Sequence, residues 1–569
     1  MRLPRIYCAA ALLLRVLSLV GLLAALCAPF AVASAYNAHP KLIVVIVIDQ
    51  FRGDYLERYH DQFVEGGFRV FLDRGAYFTD CNYDYANTRT APGHATLFTG
   101  SYTSGHGIVA NEWWDPLKKK SVTSVEDDAV KLIGLEGAGA ANGPGASPHN
   151  LLSDTLGDEL KLATGGKARV FAISLKDRAA VLPAGFAGDG AYWIDPKSGA
   201  WITSTYYEQD LPEWVRNFNS SHRAEKYWNR EWKDADGKAL GSTAPRSGRD
   251  GKPAGFYEVV GATPFANDYQ FEFAKELVLY EKLGTGPVTD LLVISLSAND
   301  ILGHRVGPDS PQMRSMALEL DRGLAEFFGF LGHQIGLANV WLALSADHGI
   351  APLPEYAKAL RLPSANLDTK AMQELVNSAL SKKYNKAGNY VLDVDYPDAW
   401  LNEEAFLAAA RTEAAAETDA GEALMQSGFA GYFAKSELTH GQVPNTEIGR
   451  RYAHSYSPEG GWYVLGVPKP FQVGTTAGTD HATPFSYDTH VPLAFYGLAF
   501  QPGVYRTHAE PTDLAVTLAS LLGINPPVKA TGRVLTEALA PPHRTATGAD
   551  HTVAPPAGDH TSGPAESKR

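Results

Sequence analysis

The chain has 569 residues, of which 45% are hydrophobic and 11% aromatic, which excludes an intrinsically disordered protein and allows a large buried core. Its 63 acidic residues outnumber its 50 basic ones, so it has no general electrostatic attraction for nucleic acid, and we expect no nucleic-acid binding. If the substrate is anionic, a few local cations or metal ions must hold it.

The N-terminus has the features of a secretory signal peptide. A positively charged start precedes an apolar run that is clearest over residues 16–28, and the Ala-Ser-Ala sequence at 33–35 offers a cleavage site. We predict a signal peptide over residues 1–35, and a periplasmic or secreted protein with no membrane anchor after cleavage. An uncleaved anchor is disfavoured because the run is short and Arg15 interrupts it. Cleavage leaves Cys81 as the single cysteine, which excludes an internal disulfide.

Short apolar runs along the chain predict β-strands. The first, over residues 41–48, is rich in β-branched residues, which is typical of a strand buried on both faces of a parallel sheet. Four similar runs follow, over residues 168–175, 291–296, 339–345 and 491–496.

Helical patterns lie between these runs. Leucines at 152, 156 and 160 indicate a helix over residues 150–163, and two glycines then end the pattern. Residues 313–331 form a long amphipathic pattern, and residues 512–522 a shorter one with Thr512 as the expected N-cap. Strands that alternate with helices predict an α/β fold with a doubly wound, mostly parallel central sheet and helices on both faces.

Two stretches break this alternation. Residues near 185–285 are rich in Trp, Tyr, Gly and Pro, and residues near 355–470 mix an Ala-rich helical part with polar loops. We interpret both as inserted cap segments that cover the ligand edge of a catalytic domain over residues 36–540. The Pro-, Thr- and Gly-rich tail over residues 541–569 is expected to be disordered.

Polar side chains lie at the ends of the predicted strands, where ligand sites of open α/β sheets form. Taken singly, each aspartate is more often a turn residue and each histidine a structural hydrogen-bonding group. Together they place three carboxylates and three imidazoles at one edge, and such a mixed set suits zinc better than calcium or magnesium. The six residues are Asp49, Asp300, His304, Asp347, His348 and His481.

A seventh candidate is Thr90, which brings the number of ligands to what two ions require. Pro92 is typical of a helix start, which puts Thr90 at or beside the amino end of a helix. There the helix dipole and free amides favour a developing alkoxide and an incoming phosphate. From these residues alone, a plain capping threonine is the simpler interpretation.

The order of these residues is similar to that of a known family. Asp49, the Thr90-x-Pro-x-His94 segment, Asn111, Asp300-x-x-x-His304, Asp347-His348 and His481 resemble the alkaline phosphatase superfamily in its type I phosphodiesterase/nucleotide pyrophosphatase-related branch. Within it, the sequence is most similar to the bacterial threonine-nucleophile alkaline phosphatases of the Sphingomonas and flavobacterial type. The resemblance spans about residues 40–535.

The resemblance implies two zinc ions and a covalent mechanism. One zinc would be held by Asp49, Asp347 and His348 together with the Thr90 oxygen, and the other by Asp300, His304 and His481. Thr90 would attack phosphorus and form a phosphothreonine intermediate, which water activated at the second zinc would hydrolyse.

The expected substrates are small phosphate monoesters. Lys176 and Arg178 follow the second predicted strand, and an extended segment would place both cations on one side. In isolation they would be a solvated charged loop, but in this context they resemble the phosphoryl-binding cations of the threonine-type phosphatases, with Asn111 donating its amide to a further oxygen.

Other functions remain as alternatives. A phosphodiesterase or nucleotide pyrophosphatase would share the metal residues, whereas a sulfatase or a serine-dependent phosphoglycerate mutase would differ at the nucleophile. A non-catalytic phosphate- or zinc-binding protein would be expected to lack a ligand or the nucleophile. Manganese or cobalt could replace zinc, and the physiological substrate and oligomeric state are not predicted.

Overall fold

The first predicted strand forms the middle of the central sheet. Residues Leu42–Ile48 are fully buried and pair in parallel with Asp290–Leu296 on one side and with Val340–Ser345 on the other. Because the three strands are parallel, their carboxyl ends meet at one edge of the sheet. These runs are apolar throughout, as a strand buried on both faces requires.

The structure is a computed structural model that describes residues 39–135, 144–248 and 251–540. The predicted signal peptide over residues 1–35 and the predicted disordered tail over residues 541–569 lie outside these ranges.

Most strands belong to three sheets, which are the central sheet, a two-stranded hairpin and a smaller four-stranded sheet. In chain order their strands are β1 (Leu42–Ile48), β2 (Ala76–Phe78), β3 (Glu112–Asp115), β4 (Lys120–Thr123), β5 (Leu132–Ile133), β6 (Val170–Ile173), β7 (Gly190–Ile194), β8 (Trp201–Ser204), β9 (Asp290–Leu296), β10 (Val340–Ser345), β11 (Val391–Asp395), β12 (Asp398–Leu401), β13 (Gly431–Ala434), β14 (Tyr463–Val467), β15 (Leu493–Tyr496) and β16 (Gly503–Tyr505). Shorter pairings join Glu126–Asp127 with Gly145–Ala146, Glu231–Lys233 with Ala239–Ser242, and Ala365–Asn366 with Gln472–Val473.

The central sheet has ten strands in the order β16-β2-β15-β10-β1-β9-β6-β7-β8-β5. Within this sheet only β8 and β15 run against the other strands. The predicted α/β fold with a mostly parallel sheet is therefore confirmed, and each of the five predicted strands is present with slightly different ends.

Helices flank this sheet and connect its strands. In chain order they are α1 (Tyr55–Arg58), α2 (Arg69–Arg74), α3 (Thr90–Thr99), α4 (Thr103–His106), α5 (Leu156–Ala163), α6 (Asp177–Ala184), α7 (Glu213–Ser220), α8 (Phe256–Val259), α9 (Pro264–Tyr280), α10 (Ala298–Val306), α11 (Pro311–Gln334), α12 (Pro354–Ala359), α13 (Thr369–Lys383), α14 (Glu403–Leu407), α15 (Glu413–Gln426), α16 (Lys435–Thr439), α17 (Glu447–Ala453), α18 (Ser486–Thr489) and α19 (Asp513–Leu522).

Two details of the predicted helices are wrong. The pattern over residues 150–163 becomes helical only at Leu156, because the Thr155 side chain accepts from the Asp158 amide in a capping box, and Leu152 lies outside with 44% of its surface exposed. Thr512 precedes α19, but its backbone is already helical and its side chain makes no capping hydrogen bond. An N-cap needs an extended backbone to direct its oxygen at the free amides.

The two predicted insertions differ in how they relate to the central sheet. The region near 185–285 contributes β7 and β8 to that sheet, so it is not wholly an insertion. The region over residues 355–470, called the cap below, contains the separate sheet β11-β12-β14-β13. Helices α13 and α15 pack on that sheet around a second apolar core, which includes Val376, Leu380, Phe406, Leu424 and Val464.

Two further observations concern stability and membranes. Within the described residues, Cys81 is buried and forms no disulfide. Among the described residues, no helix combines the length and the apolar character needed to cross a membrane.

Candidate active site

The polar residues predicted at strand ends converge on one edge of the central sheet. Asp49 directly follows β1, and the Asp347-His348 pair lies just after β10. Asp300 and His304 lie one turn apart on α10, which follows β9. His481 precedes β15 in the chain, yet it reaches the same edge because β15 runs antiparallel to its neighbour and starts where the others end.

The first group consists of Asp49, Asp347 and His348. One ligand atom from each residue lies within 4.8 Å of the other two, and all three side chains are fully buried. The Asp49 Oδ1, Asp347 Oδ2 and His348 Nε2 atoms have no hydrogen-bond partner. Unpartnered buried polar atoms are costly, so three of them around one point fit a bound cation.

The second group consists of Asp300, His304 and His481, whose ligand atoms also lie within 4.8 Å of one another. The Nδ1 atom of His304 is 2.9 Å from the Thr479 carbonyl oxygen, and that of His481 is 2.7 Å from the Thr88 carbonyl oxygen. A carbonyl partner assigns the proton to Nδ1, which leaves Nε2 of each ring as the ligand atom. This donor set also fits a metal ion.

The two groups are immediate neighbours. The rings of His348 and His481, one from each group, stack with their centroids 3.8 Å apart. The structure thus divides the six residues as the resemblance implied, although their roles as ligands stay predictions.

Thr90 is the first residue of α3 and is almost completely buried. The helix is preceded by Arg89 in an extended conformation, and no side chain caps it. Thr90 is therefore not a capping threonine, and it lies at the amino end where the dipole favours negative charge.

Lys176 lies between the two groups and beside Thr90. Its Nζ atom is 2.6 Å from both Asp49 Oδ2 and Asp300 Oδ2, and 3.4 Å from Thr90 Oγ1. One ammonium thus faces carboxylates from both groups. Together with Asp347, these carboxylates carry more negative charge than Lys176 alone offsets, which again favours bound cations.

The electrostatics of the carboxylates reflect this crowding. Burial, and next the charges of Asp300 and Asp347, raise the pKa of Asp49 well above its usual range. Burial also opposes ionisation of Asp300, but Lys176 and His304 hold the pKa of that carboxyl well below its usual range. The site therefore favours a charged Asp300 only because cations stand beside it.

Asn111 and Arg178 complete the set of predicted phosphoryl-binding residues. Asn111 Oδ1 accepts from the Ala91 amide at 2.8 Å, which fixes the carboxamide beside Thr90 and leaves its NH2 group as the donor. Arg178 Nε is buried without a partner. The expected extended segment is wrong in one detail, because α6 begins at Asp177, so Lys176 is extended and Arg178 is helical.

Gln50 is a site residue that the sequence did not reveal. Its side-chain amide donates to Asp300 Oδ1 at 2.7 Å, and its backbone amide donates to Asp347 Oδ1 at 3.0 Å, so it links the two groups. Its backbone is left-handed, with φ of 65°. The only available signal was its position directly after Asp49.

Comparisons with known proteins identify the family to which this chain belongs. The sequence matches the family described as type I phosphodiesterase / nucleotide pyrophosphatase over residues 43–455. It is 32% identical over 524 residues to the alkaline phosphatase PafA of Elizabethkingia meningoseptica, covering 88% of this chain and 94% of the relative. A protein of Myroides odoratus named calcium-transporting ATPase is 34% identical over 539 residues, covering 89% of this chain and 96% of the relative.

The fold comparison points the same way. The crystal structure of wild-type alkaline phosphatase PafA superposes with a TM-score of 0.77 at 30% sequence identity, covering 88% of this chain and 99% of that chain. The fold and the clustered site define a phosphatase-type hydrolytic enzyme. The chain belongs to the type I phosphodiesterase / nucleotide pyrophosphatase family, within the alkaline phosphatase superfamily.

Proposed function

We propose that this chain hydrolyses small phosphate monoesters with Thr90 as the nucleophile and two zinc ions as cofactors. The observation that carries the proposal is the position of Thr90: its hydroxyl lies at the amino end of α3, with the Lys176 ammonium 3.4 Å away and in contact with both groups of ligands. The alkaline phosphatases among the relatives support the reaction class.

The unpartnered atoms of the first group and the oriented Nε2 atoms of the second indicate which side chains would hold the ions. Asp49, Asp347 and His348 would hold one zinc beside Thr90, and Asp300, His304 and His481 would hold the other. When bound, two zinc ions supply Lewis-acid stabilisation of negative charge on the attacking and leaving oxygens.

The chain's own residues carry the covalent step. The Thr90 oxygen loses its proton to solvent, attacks phosphorus and becomes esterified, while the bond from phosphorus to the leaving oxygen breaks and the alkoxide takes a proton from water to leave as the alcohol. A water molecule then attacks phosphorus, the bond from phosphorus to the Thr90 oxygen breaks, inorganic phosphate leaves, and the Thr90 oxygen regains a proton from solvent. The amino end of α3 favours negative charge at the Thr90 oxygen, because the positive end of the helix dipole lies there.

The phosphoryl oxygens need positive partners, and three side chains can supply them. Asn111 presents its NH2 group because its oxygen is engaged by the Ala91 amide. Arg178 has a buried and unpartnered Nε atom, and Lys176 carries a second positive charge beside the Thr90 hydroxyl. Two cations and an amide suit a monoester dianion, which bears more charge than a diester.

A phosphodiesterase is the second candidate, and the name of the matched family is the observation that favours it. Purified protein reconstituted with zinc should hydrolyse p-nitrophenyl phosphate much faster than bis-p-nitrophenyl phosphate or p-nitrophenyl sulfate. Metal analysis should find two zinc ions per chain, and chelation should abolish activity. Preferential diester hydrolysis would replace this proposal with the diesterase.

The covalent step has its own test. Thr90→Ala should abolish phosphatase activity, whereas Thr90→Ser should retain part of it because serine offers the same hydroxyl. Mass spectrometry of acid-quenched enzyme should find phosphate on Thr90 in the wild type. Full activity of Thr90→Ala would exclude the nucleophile.

We also propose that the enzyme works in the periplasm or outside the cell, on small phosphate esters and without nucleic acid or a membrane anchor. The predicted signal peptide over residues 1–35 and the acidic composition support this location and these partners. Cell fractionation with N-terminal sequencing of the exported chain tests it, and an uncleaved chain in the cytoplasm or membrane fraction would contradict it.

A further inference from the structure

Arg89, the residue before Thr90, is bound to the cap. Its guanidinium is 97% buried, and one terminal nitrogen donates to Asp398 Oδ2 at 2.9 Å and to Asn87 Oδ1 at 2.7 Å. The other donates to the carbonyl oxygens of Asp395 and Tyr396 at 3.0 and 2.7 Å. Except for Asn87, these partners lie on the β11–β12 hairpin. Arg89, which directly precedes the proposed nucleophile, is therefore hydrogen-bonded to the cap.

The same network reaches the segment that carries Asn111. The Asn87 side-chain amide donates to the carbonyl oxygens of Val109 and Ser455 and to the Thr103 hydroxyl. Val109 lies two residues before Asn111, whose oxygen in turn accepts from the Ala91 amide. Thr90 and the Asn111 side chain are therefore both connected to Arg89, Thr90 through the chain and Asn111 through Asn87 and Val109.

Apolar packing links the same parts of the chain. A third hydrophobic cluster joins Ala86, Val109 and Ala110, which flank Asn87 and Asn111 in the sequence, to side chains of the cap. The cap side chains in this cluster are Trp400, Leu438, Tyr452, Tyr463 and Leu465. Trp400 lies two residues after Asp398 on β12, so the polar and apolar contacts form one continuous surface.

A third connection joins this segment to α17 and to Ser455 just after it. The Asp84 carboxylate accepts from Arg450 of α17 at 2.6 and 3.0 Å. The Ala86 amide donates to the Ser455 hydroxyl at 2.7 Å. Residues 84–89, the segment that leads into Thr90, thus lie between the β11–β12 hairpin and the end of α17.

We infer that Arg89 is a positioning residue through which the cap fixes Thr90 and Asn111, an inference that rests on the proposed function. Both terminal nitrogens of its guanidinium are occupied by protein oxygens, so it serves no phosphoryl group. The cap on this account is part of the catalytic framework and not only a cover over the sheet edge.

This arrangement separates Thr90 from the two cations proposed to bind phosphate, and of the three proposed phosphoryl partners only Asn111 shares the Arg89 network. Lys176 and Arg178 belong to a different segment, after β6, which none of these contacts involves. Loss of the Arg89 anchor should therefore displace the nucleophile while leaving the two cations in place. Turnover should fall far more than affinity for inorganic phosphate.

The test compares kcat, KM, inhibition by inorganic phosphate and thermal unfolding in zinc-loaded variants. Arg89→Met and Asp398→Asn should lower kcat on p-nitrophenyl phosphate by about 10- to 100-fold, since small misplacements of reacting groups cost that much. The inhibition constant for phosphate should change by less than about 10-fold and by less than kcat does, because only the Asn111 amide among its proposed partners moves and both cations stay. Arg89→Lys should be intermediate, because one ammonium cannot replace the planar fork.

Asp419→Asn is the matched control. Asp419 is also a buried cap carboxylate, which accepts from Lys383 and Tyr384, but it contacts nothing near Thr90. This variant should lower the unfolding temperature and leave kcat within about 2-fold, as expected for a site that only supports folding. The double variant Arg89→Met/Asp398→Leu should recover part of the unfolding temperature, because it removes both charges of the buried Arg89–Asp398 pair and leaves only the half-exposed Asp395 carboxylate without its cation, but it should not recover kcat.

Distinct outcomes overturn the two proposals. If the wild type itself lacks phosphatase activity, the proposed function is wrong. If the wild type is active and folded Arg89→Met or Asp398→Asn turns over normally, only the positioning role is wrong. A drop in kcat that tracks the unfolding temperature equally in all variants, Asp419→Asn included, would also overturn it. If Arg89→Met does not fold, Asp398→Asn and Arg89→Lys decide the question.

Discussion

At the scale of single residues, the chemistry depends on how a few charged groups share one small space. Lys176 contacts Asp49, Asp300 and Thr90 at once, while the Arg178 guanidinium holds an unpartnered Nε atom close by in the chain. A monoester dianion would meet both cations, whereas a diester presents one negative charge fewer. On the proposed function, the two cations would therefore govern which ester the site prefers.

We predict that Lys176→Ala and Arg178→Ala each reduce kcat/KM for p-nitrophenyl phosphate by about 10- to 100-fold, as the loss of a charge-assisted hydrogen bond implies. Hydrolysis of bis-p-nitrophenyl phosphate should fall several-fold less. Steady-state kinetics on both substrates checks this. Lys167→Ala, an exposed cation before the same strand, should change neither rate. Equal losses on both esters would contradict the assignment.

At the scale of elements, the site depends on how closely α3 approaches the loop after β10. Gly93 lies one turn along α3 from Thr90, and a Cβ atom there would lie 2.3 Å from the Asp347 carbonyl oxygen and 2.6 Å from its Cβ. Backbone atoms cannot give way as a flexible side chain can. Only glycine therefore lets α3 meet the loop after β10 at this distance.

Gly93→Ala should consequently push α3 away from Asp347 and His348. We expect a loss of kcat of about 10-fold or more, because the nucleophile moves relative to the ligands, together with a lower unfolding temperature. Activity assays and thermal melts check both. Gly329→Ala in α11, where a Cβ meets nothing within 4 Å, should leave activity unchanged and stability equal or higher. Wild-type kinetics for Gly93→Ala would exclude this close contact.

The sequence predicted where the strands lie in the chain better than it predicted whether they run parallel or antiparallel in the sheet. Apolar runs located β1, β9 and β10 because strands buried on both faces carry an unbroken apolar signal. The same signal does not encode direction, so nothing indicated that β15 runs antiparallel, which is what brings His481 to the site. Nor did it show that β7 and β8 extend the central sheet, since their short runs lie in an irregular, aromatic-rich region.

For the site, the sequence indicated the charged candidate residues but not the contacts that connect them to the rest of the chain. The charged candidates could be found because position at a strand end and residue type both mark them, and the structure brings all six together. Contacts between distant segments could not be predicted, because they depend on packing that no local pattern records. Gln50 across the two groups and Arg89 against the cap are such contacts.

At the scale of the whole molecule, the two groups of proposed ligands bring the ends of adjacent central strands into one charge cluster. Asp49, Asp300 and Asp347 lie on three different segments and repel one another unless cations separate them. Folding without metal must therefore accommodate that repulsion. Bound ions should stabilise the folded state by mass action as well as supporting the reaction.

We accordingly predict that removing metal with a chelator lowers the unfolding temperature by several degrees. This corresponds to the loss of about 2–4 kcal/mol in the free energy of unfolding, which is what tight metal binding contributes. Calorimetry before and after chelation, followed by zinc addition, measures the effect. Thr90→Ala should show nearly the same shift, because the six other ligands remain. An unfolding temperature that does not respond to chelation would argue against structural metal binding at these groups.

Stability should also depend on pH through the cap. Glu417 of α15 is fully buried, with one oxygen accepting from the Ser436 amide and hydroxyl and the other unpartnered. Burial raises the pKa of Glu417 to about 7, although the hydrogen bonds from Ser436 oppose the shift and the nearby Lys435 does so weakly. Between about pH 4.5 and pH 7, the Glu417 carboxyl therefore keeps its proton in the folded state, whereas the unfolded chain, in which its pKa is about 4.5, has released it.

The sign follows from that difference. The carboxyl's contribution to stability is complete below about pH 4.5 and is lost as pH rises to about 7, because only the unfolded chain gains freely by ionising.

Glu417→Gln cannot ionise, so its unfolding free energy relative to wild type should rise across this window by on the order of 2 kcal/mol. Denaturant unfolding at pH 5, 6, 7 and 8 measures this change, and any constant offset from the new amide leaves the slope unaffected. Glu422→Gln, at an exposed position on the same helix, is the control for replacing a glutamate with an amide. A pH-independent difference for Glu417→Gln would mean that the cap holds this carboxylate charged.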